Sequence, residues 1–167
     1  MRTFGTLSSS LNTVLISASL ILGSAAGVVG VACVKGESLV PAARAGQEKP
    51  KVVINLKQGT NDLRAASMAM ELAVELLDKG AEVTIYANLE GVRVFDARQP
   101  DQRCGMGDVS IGQLYERFVA GGGTVLVCPL CAEVAGVRPD NLREGARLGT
   151  MAQVAEVMLA ADQVIDY

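Results

Sequence analysis

The sequence predicts an α/β layer fold with a mostly parallel sheet, and three observations carry that expectation. Short, nearly continuous apolar runs alternate with longer stretches of helical spacing. The apolar runs lack the in–out alternation of a strand wet on one face, as expected when helices cover both sides of a parallel sheet. Each helical stretch is bounded by residues that start or stop helices. Strands alternating with helices define this class, and right-handed crossovers then put helices on both faces.

Taken in order, Ala42 to Lys51 is small, polar and proline-containing, and reads as a linker. The first strand is Lys51-Val52-Val53-Ile54-Asn55-Leu56. A polar loop, Lys57-Gln58-Gly59-Thr60-Asn61-Asp62, follows and ends on residues suited to cap a helix. Leu63, Ala66, Met70, Ala73 and Leu77 recur at helical spacing, and Lys79-Gly80 supplies a basic last turn and a glycine stop. Ala81 to Tyr86 is the second strand. The chain from Phe95 to Val109 is long and poorly periodic, and connections of that length are usually functional or disordered. Ser110 and Gln113 form a capping box ahead of Ile111, Leu114 and Phe118. Gly121-Gly122-Gly123 ends that helix and leads into the third strand, Thr124-Val125-Leu126-Val127. A weak strand lies at Ala146-Arg147-Leu148. Thr150 and Gln153 form a second capping box before Val154, Ala155 and Met158, and Gln163-Val164-Ile165 closes the sheet. There is no internal repeat, and the periodic Met and Leu residues read as core.

The N-terminus is of another kind. No charged residue occurs from Thr3 to Val34, and the apolar stretch 13–34 is long enough to cross a bilayer as a helix. Residues 1–45 therefore read as a signal peptide or membrane anchor with its linker, and residues 46–167 as the α/β domain. Ala43-Arg44-Ala45 before Gly46 favours cleavage. The long gap after Val34, with Lys35 and Glu37 in it, favours a retained anchor touching the membrane through residues 13–34. Lipidation at Cys33 is a third option, weakened because Gly30-Val31-Ala32 lacks the usual leucine. All three leave the domain periplasmic or otherwise extracytoplasmic.

Composition excludes several chemistries. The chain has no histidine, which removes Ser-His-Asp and Cys-His catalysis and every histidine-containing zinc site. A net charge of −3 and few aromatic rings do not suit a nucleic-acid surface. Cleavage after Ala45 would leave Cys104, Cys128 and Cys131, an odd count that requires a free or intermolecular thiol.

The most informative motif is Cys128-Pro129-Leu130-Cys131, directly behind the third strand. Proline is favoured at the first helical position, which makes Cys128 the predicted N-cap. Its sulfur then faces free N–H groups and the positive end of the helix dipole, a setting that lowers a thiol's pKa. The alternative is a structural disulfide or a pair of buried thiols. Open α/β sheets bind ligands beyond the carboxyl ends of their strands. Three loops meet that description: Lys57 to Asp62, Asn88 onward, and Cys128 to Cys131. A pocket there would gather Lys57, Asn61, Cys128 and Cys104, and a Lys57 beside Cys128 would stabilise the thiolate further. Gly59-Thr60-Asn61-Asp62 lacks the phosphate-binding patterns and reads as a helix cap with a turn. Asp96, Asp101 and Asp108 are too scattered for a calcium loop and read as a solvated loop.

Several pieces together resemble the DsrE/DsrF-like family, which includes small sulfur-relay proteins. They are Val52 to Leu56 with the Gly59–Asp62 loop, and the helix end Leu76-Leu77-Asp78-Lys79-Gly80-Ala81-Glu82-Val83. The run from Phe118 to Cys131 with Ala135-Gly136-Val137, and the terminal helix and strand from Met151 to Tyr167, complete the match. The resemblance implies a five-stranded sheet with helices on both faces, homo-oligomers (trimers or hexamers), and sulfur transfer through a cysteine persulfide. The family's active cysteine falls after the third strand, which matches Cys128. Two features set this chain apart from the cytoplasmic members and from tRNA thiolation: the export segment, and the second cysteine at 131.

The leading expectation is an exported sulfur handler. Cys128 takes or passes sulfane sulfur, Cys131 or Cys104 resolves it, and no cofactor is needed because sulfur is itself the cargo. Its partners would be a sulfur donor or acceptor protein, or a small sulfur compound. The alternatives are a thiol–disulfide oxidoreductase using Cys128 and Cys131, and a non-catalytic, membrane-tethered oligomeric binding domain. A thioredoxin-like oxidoreductase is disfavoured, because the motif follows the third strand and no Trp precedes it.

Overall fold

The computed structural model describes residues 48–104 and 109–167. The signal or anchor segment, Cys33, the Ala43-Arg44-Ala45 motif and Asp108 lie outside the described residues.

The first strand, β1, runs from Lys51 to Leu56 and leads through the polar loop to α1, Leu63–Asp78. The Asp62 carboxylate caps that helix by accepting from the N–H groups of Arg64 and Ala65. Lys79 then closes it, and Gly80 follows at φ +90°. The next strand, β2, is Glu82–Ala87, one residue later than the sequence pattern suggests. A 3₁₀ segment, Leu89–Phe95, comes next, at a place where no apolar period announces an element. Beyond it are α2 (Ile111–Ala120), β3 (Thr124–Val127), α3 (Pro129–Ala135), β4 (Ala146–Leu148), α4 (Met151–Ala160) and β5 (Gln163–Asp166). Both capping boxes form, at Ser110–Gln113 and Thr150–Gln153.

The five strands make one parallel sheet in the order β4-β3-β2-β1-β5. One face carries the larger core, with Ile54, Leu56, Val83, Ile85, Val125 and Val127 packed on Met70, Phe95 and Phe118. On the other face Val53, Tyr86, Leu126 and Cys128 meet Val154, Val157 and Met158 of α4. Helices therefore lie on both faces. Among the described residues no helix is long and apolar enough to cross a membrane.

The stretch after Phe95 corrects one expectation. Asp96 is not solvated; it is 1% exposed, and Arg98 grips both its oxygens at 2.9 and 2.8 Å. The Arg98 guanidinium holds its carboxyl below the usual carboxylate range, against the cost of burial. Asp101 remains exposed and accepts from the N–H of Gly112 at 2.9 Å.

Two glycines bring β1 and the 3₁₀ segment together. A Cβ on Gly91 would lie 2.2 Å from the Leu56 carbonyl oxygen, and one on Gly59 would lie 2.2 Å from that of Glu90. The single glycine of the Gly59–Asp62 loop thus serves close backbone approach. The Asn61 side chain completes the turn by accepting from the Gly59 N–H at 2.8 Å and donating to Gln58.

Candidate functional site

Cys128 sits where β3 stops. Its backbone is extended, Pro129 opens α3, and Gly136 ends that seven-residue helix at φ +69°. Its N–H donates to the Ala87 carbonyl at 2.8 Å, extending the β2–β3 ladder by one residue. Cys128 is 5% exposed, Cys131 is half-buried, and both are free thiols.

The two sulfurs are not equivalent. Burial works against ionisation of Cys128, but the Cys131 N–H, the Tyr86 hydroxyl, the Cys131 thiol and the Leu130 N–H outweigh it and bring its pKa down. The neutral Cys128 thiol makes no capping hydrogen bond, so these groups count chiefly once the sulfur is charged. Cys131 moves the other way: burial raises it, its bond to Cys128 raises it further, and only the Leu89 N–H opposes. A bond that lowers one thiol and raises the other runs from Cys131 S–H to Cys128 S⁻. Of the two, Cys128 is the thiol whose anion is favoured, and Cys131 the one whose proton is favoured.

Tyr86 belongs to the same cluster. Burial pushes its phenol up to about 12, and its bond to Cys128 adds to the rise. The hydroxyl therefore keeps its proton and donates it toward the sulfur. We expect Tyr86→Phe to raise the Cys128 pKa and slow its alkylation at neutral pH by roughly threefold to tenfold, as for the loss of one charge-assisted bond. Peptide-resolved alkylation rates would measure this; an unchanged rate would remove Tyr86 from the site.

The register explains why these residues meet. Asn55 pairs with Tyr86 and with Asp166, and Tyr86 pairs with Leu126, so one row of the sheet carries all four on the α4 face. Two residues further along, Asn88 and Cys128 follow Tyr86 and Leu126. The Asn88 amide donates to Asn55 Oδ1 at 2.7 Å, and the Asn55 amide donates to Asp166 Oδ1 at 2.5 Å. Lys57 Nζ lies 3.3 Å from the same Asp166 oxygen. Asn88 Oδ1 is buried with no donor.

Beside the cysteines lies an open groove of about 280 Å³, lined by Leu89, Glu90, Arg93, Leu130, Cys131, Val134 and Ala135. Leu89, Leu130 and Val134 are exposed there, and Arg93 pairs with Glu90 at 2.8 Å. Leu89 adopts φ +46°, a left-handed backbone that is costly for leucine, and its N–H serves the Cys131 sulfur.

The other predicted residues fall elsewhere. Lys57 does not attend Cys128, because Asp166 on the far side of β1 takes its ammonium. Asn61 is occupied within its own turn. Cys104 is half-buried next to the undescribed residues 105–108, and the groups named above around Cys128 do not include it. Sequence reasoning missed Tyr86, Asn55 and Asp166. The signal available for them was a polar atom at the carboxyl end of a strand that otherwise reads as core or edge.

A family model described as the DsrE/DsrF-like family matches residues 51–167. An uncharacterised protein of Methanocaldococcus jannaschii, MJ0989, is 28% identical over 102 residues, covering 61% of this chain and 86% of that protein. The fold is similar to the crystal structure of the ychN protein of E. coli, with a TM-score of 0.60 at 20% identity, over 72% of this chain and 100% of that one. It is also similar to MTH1491 of Methanobacterium thermoautotrophicum, a protein of unknown function, with a TM-score of 0.56 at 13% identity, over 71% and 100% of the two chains. At such identities these structures speak for the fold.

Proposed function

The chain belongs to the DsrE/DsrF-like family, which is associated with sulfur relay, and from that premise we propose that it carries sulfane sulfur as a persulfide on Cys128. The observation that carries the reading is the asymmetry of the two thiols. Cys128 is stabilised as the thiolate by four donors, while Cys131 is held as the neutral thiol.

The Cys128 thiolate attacks the outer sulfur of a hydropersulfide or polysulfide donor. A new S–S bond forms at Cys128, the donor's S–S bond breaks, and the donor leaves as a thiolate while the proton stays on the transferred sulfur. Transfer onward repeats the exchange, with an acceptor thiolate attacking that outer sulfur and Cys128 leaving as the thiolate. Cys131 offers a second exit. Once deprotonated, it attacks the Cys128 sulfur, expels hydrosulfide and leaves a Cys128–Cys131 disulfide for an external dithiol to reduce. The donor in this scheme is a small sulfur compound or a partner protein. The export of the domain, by cleavage or on an anchor, and its assembly into a homo-oligomer are parts of the same proposal. No cofactor enters it.

The contact between the two thiols also favours a second reading, thiol–disulfide exchange between Cys128 and Cys131. Mass spectrometry of the reduced full chain after incubation with polysulfide separates the two. Sulfur carriage predicts a gain of one sulfur atom on the peptide bearing Cys128. Because the second exit also ends in that disulfide, the Cys131→Ser chain decides: a folded variant that gains no sulfur would sink sulfur carriage and leave exchange.

A further inference from the structure

We propose that Asp166, Asn55 and Asn88 form a directional chain of side-chain hydrogen bonds that commits the Tyr86 hydroxyl to Cys128. The inference rests on Cys128 being the reacting sulfur and assigns three positioning residues to it.

The argument begins at Asn88. It sits at the N-cap of the 3₁₀ segment, where asparagine usually turns its side chain onto the following N–H groups, yet it makes no cap bond. Its amide nitrogen instead donates to Asn55 at 2.7 Å. The same side chain also works against the rise of the Tyr86 phenol, as a donor does, in keeping with a nitrogen that is already committed to Asn55. Its oxygen is left buried with no donor. A buried acceptor without a donor is costly. Turning the amide over would relieve it, because the oxygen would then accept from the Tyr86 hydroxyl.

Asn55 prevents that turn. With Asn88 reversed, two amide oxygens would face each other across 2.7 Å. Asn55 cannot reverse in sympathy, since its nitrogen is held by the Asp166 oxygen at 2.5 Å. An ionised carboxylate only accepts, so it fixes the direction of every amide behind it. The Asn55 amide and Lys57, 3.3 Å from the same oxygen, together hold that carboxyl below the usual carboxylate range. The chain runs from β5 through β1 to β2, and it ends by keeping the Asn88 oxygen away from the Tyr86 hydroxyl, which is left to the sulfur on β3. Released from the chain, Asn88 would take the Tyr86 proton for its own oxygen and Cys128 would lose a donor.

The signs make this testable. Asp166→Ala removes the terminal acceptor and a negative charge. A through-space charge effect would favour the thiolate and speed Cys128 alkylation. Loss of the directional chain slows it, by about threefold and by no more than Tyr86→Phe does. Asp166→Asn loses the charge but keeps an oxygen that Lys57 orients, so its rate is expected to stay close to that of the unaltered protein. In the Tyr86→Phe background, Asp166→Ala is expected to change nothing. Asn55→Leu, which keeps Asp166 and its charge, is expected to slow the reaction as Asp166→Ala does and guards against a misfolded variant. The readout is the alkylation rate of the Cys128 peptide of the full chain at several pH values. A faster or unchanged rate in Asp166→Ala, or a slowing that persists without the Tyr86 hydroxyl, overturns the proposal. Sulfur uptake is scored separately: variants that follow this pattern while Cys128 takes up no sulfur would count against persulfide carriage and leave the chain of amides standing.

Discussion

Cys128→Ser is expected to abolish sulfur uptake completely. A serine hydroxyl at this position has the same neighbours, but its pKa lies far above any working pH, so the donors around it have no anion to stabilise. It also forms no S–S bond, so the carried group has nowhere to reside. Cys131→Ser should behave differently. Uptake persists, because a serine O–H still donates toward the Cys128 sulfur, while the intramolecular route to hydrosulfide and disulfide is lost. Intact mass after polysulfide treatment, with peptide mapping, reads both variants. A Cys128→Ser protein that still gains sulfur would move the chemistry to Cys131 or Cys104. One that keeps its assembly and its biological function unchanged would favour a binding domain without catalysis.

The largest loss of stability is expected from Gly91→Ala. Most alanine substitutions in a turn are mild, and some stabilise by restricting the unfolded chain. Here the added methyl meets the Leu56 carbonyl oxygen at 2.2 Å, and backbone gives way less readily than a side chain. The Gly91 N–H also donates to the carbonyls of Lys57 and Asn88 at 3.1 and 2.8 Å, so a shift that relieves the clash stretches those bonds. The expected cost is about 3 kcal/mol, the upper part of the usual range for overpacking. Urea unfolding followed by far-ultraviolet circular dichroism measures it. A cost near zero would mean that β1 and the 3₁₀ segment are not held as described. Because Asn88 and Leu89 lie in the same turn, the variant should also disturb the Cys128 environment at urea concentrations where it remains folded.

Much of the architecture was legible because it is written locally. The Ser110–Gln113 and Thr150–Gln153 boxes, the Asp62 cap and the Gly80 stop each depend on a few adjacent residues, and each formed as expected. The three central strands, β1, β2 and β3, were readable because burial on both faces leaves nearly unbroken apolar runs. The 3₁₀ segment Leu89–Phe95 was not, since it is short and follows no period. Asp96 reads as solvent-facing by residue type, and the pairing with Arg98, helped by the charge of Arg143, makes burial tolerable. The site divided along the same line. Cys128 with Pro129 announces itself by strand end and helix start. Tyr86, Asn55 and Asp166 come together only through register across three strands, which no single stretch of sequence specifies. The pairing of Lys57 was hidden for the same reason: β5 lies on the other side of β1, and its Asp166 meets the ammonium at 3.3 Å.

The sheet order has a kinetic consequence. β1 lies between β2 and β5, and the bonds from Lys51 to Asp162 and from Asn55 to Asp166 each join residues 111 positions apart. Parallel pairings at such separation must meet the entropy of closing the loop before any contact rewards it, which places the domain among slower folders. Val154 of α4, which packs with Cys128, and Asp166 of β5, which orients its surroundings, both follow the cysteine in the chain. Made from its N-terminus, the chain therefore presents this sulfur to solvent before the residues that will shelter it have been added. The oxidants and sulfur species met during that interval act on the thiol with none of the selectivity of the finished site.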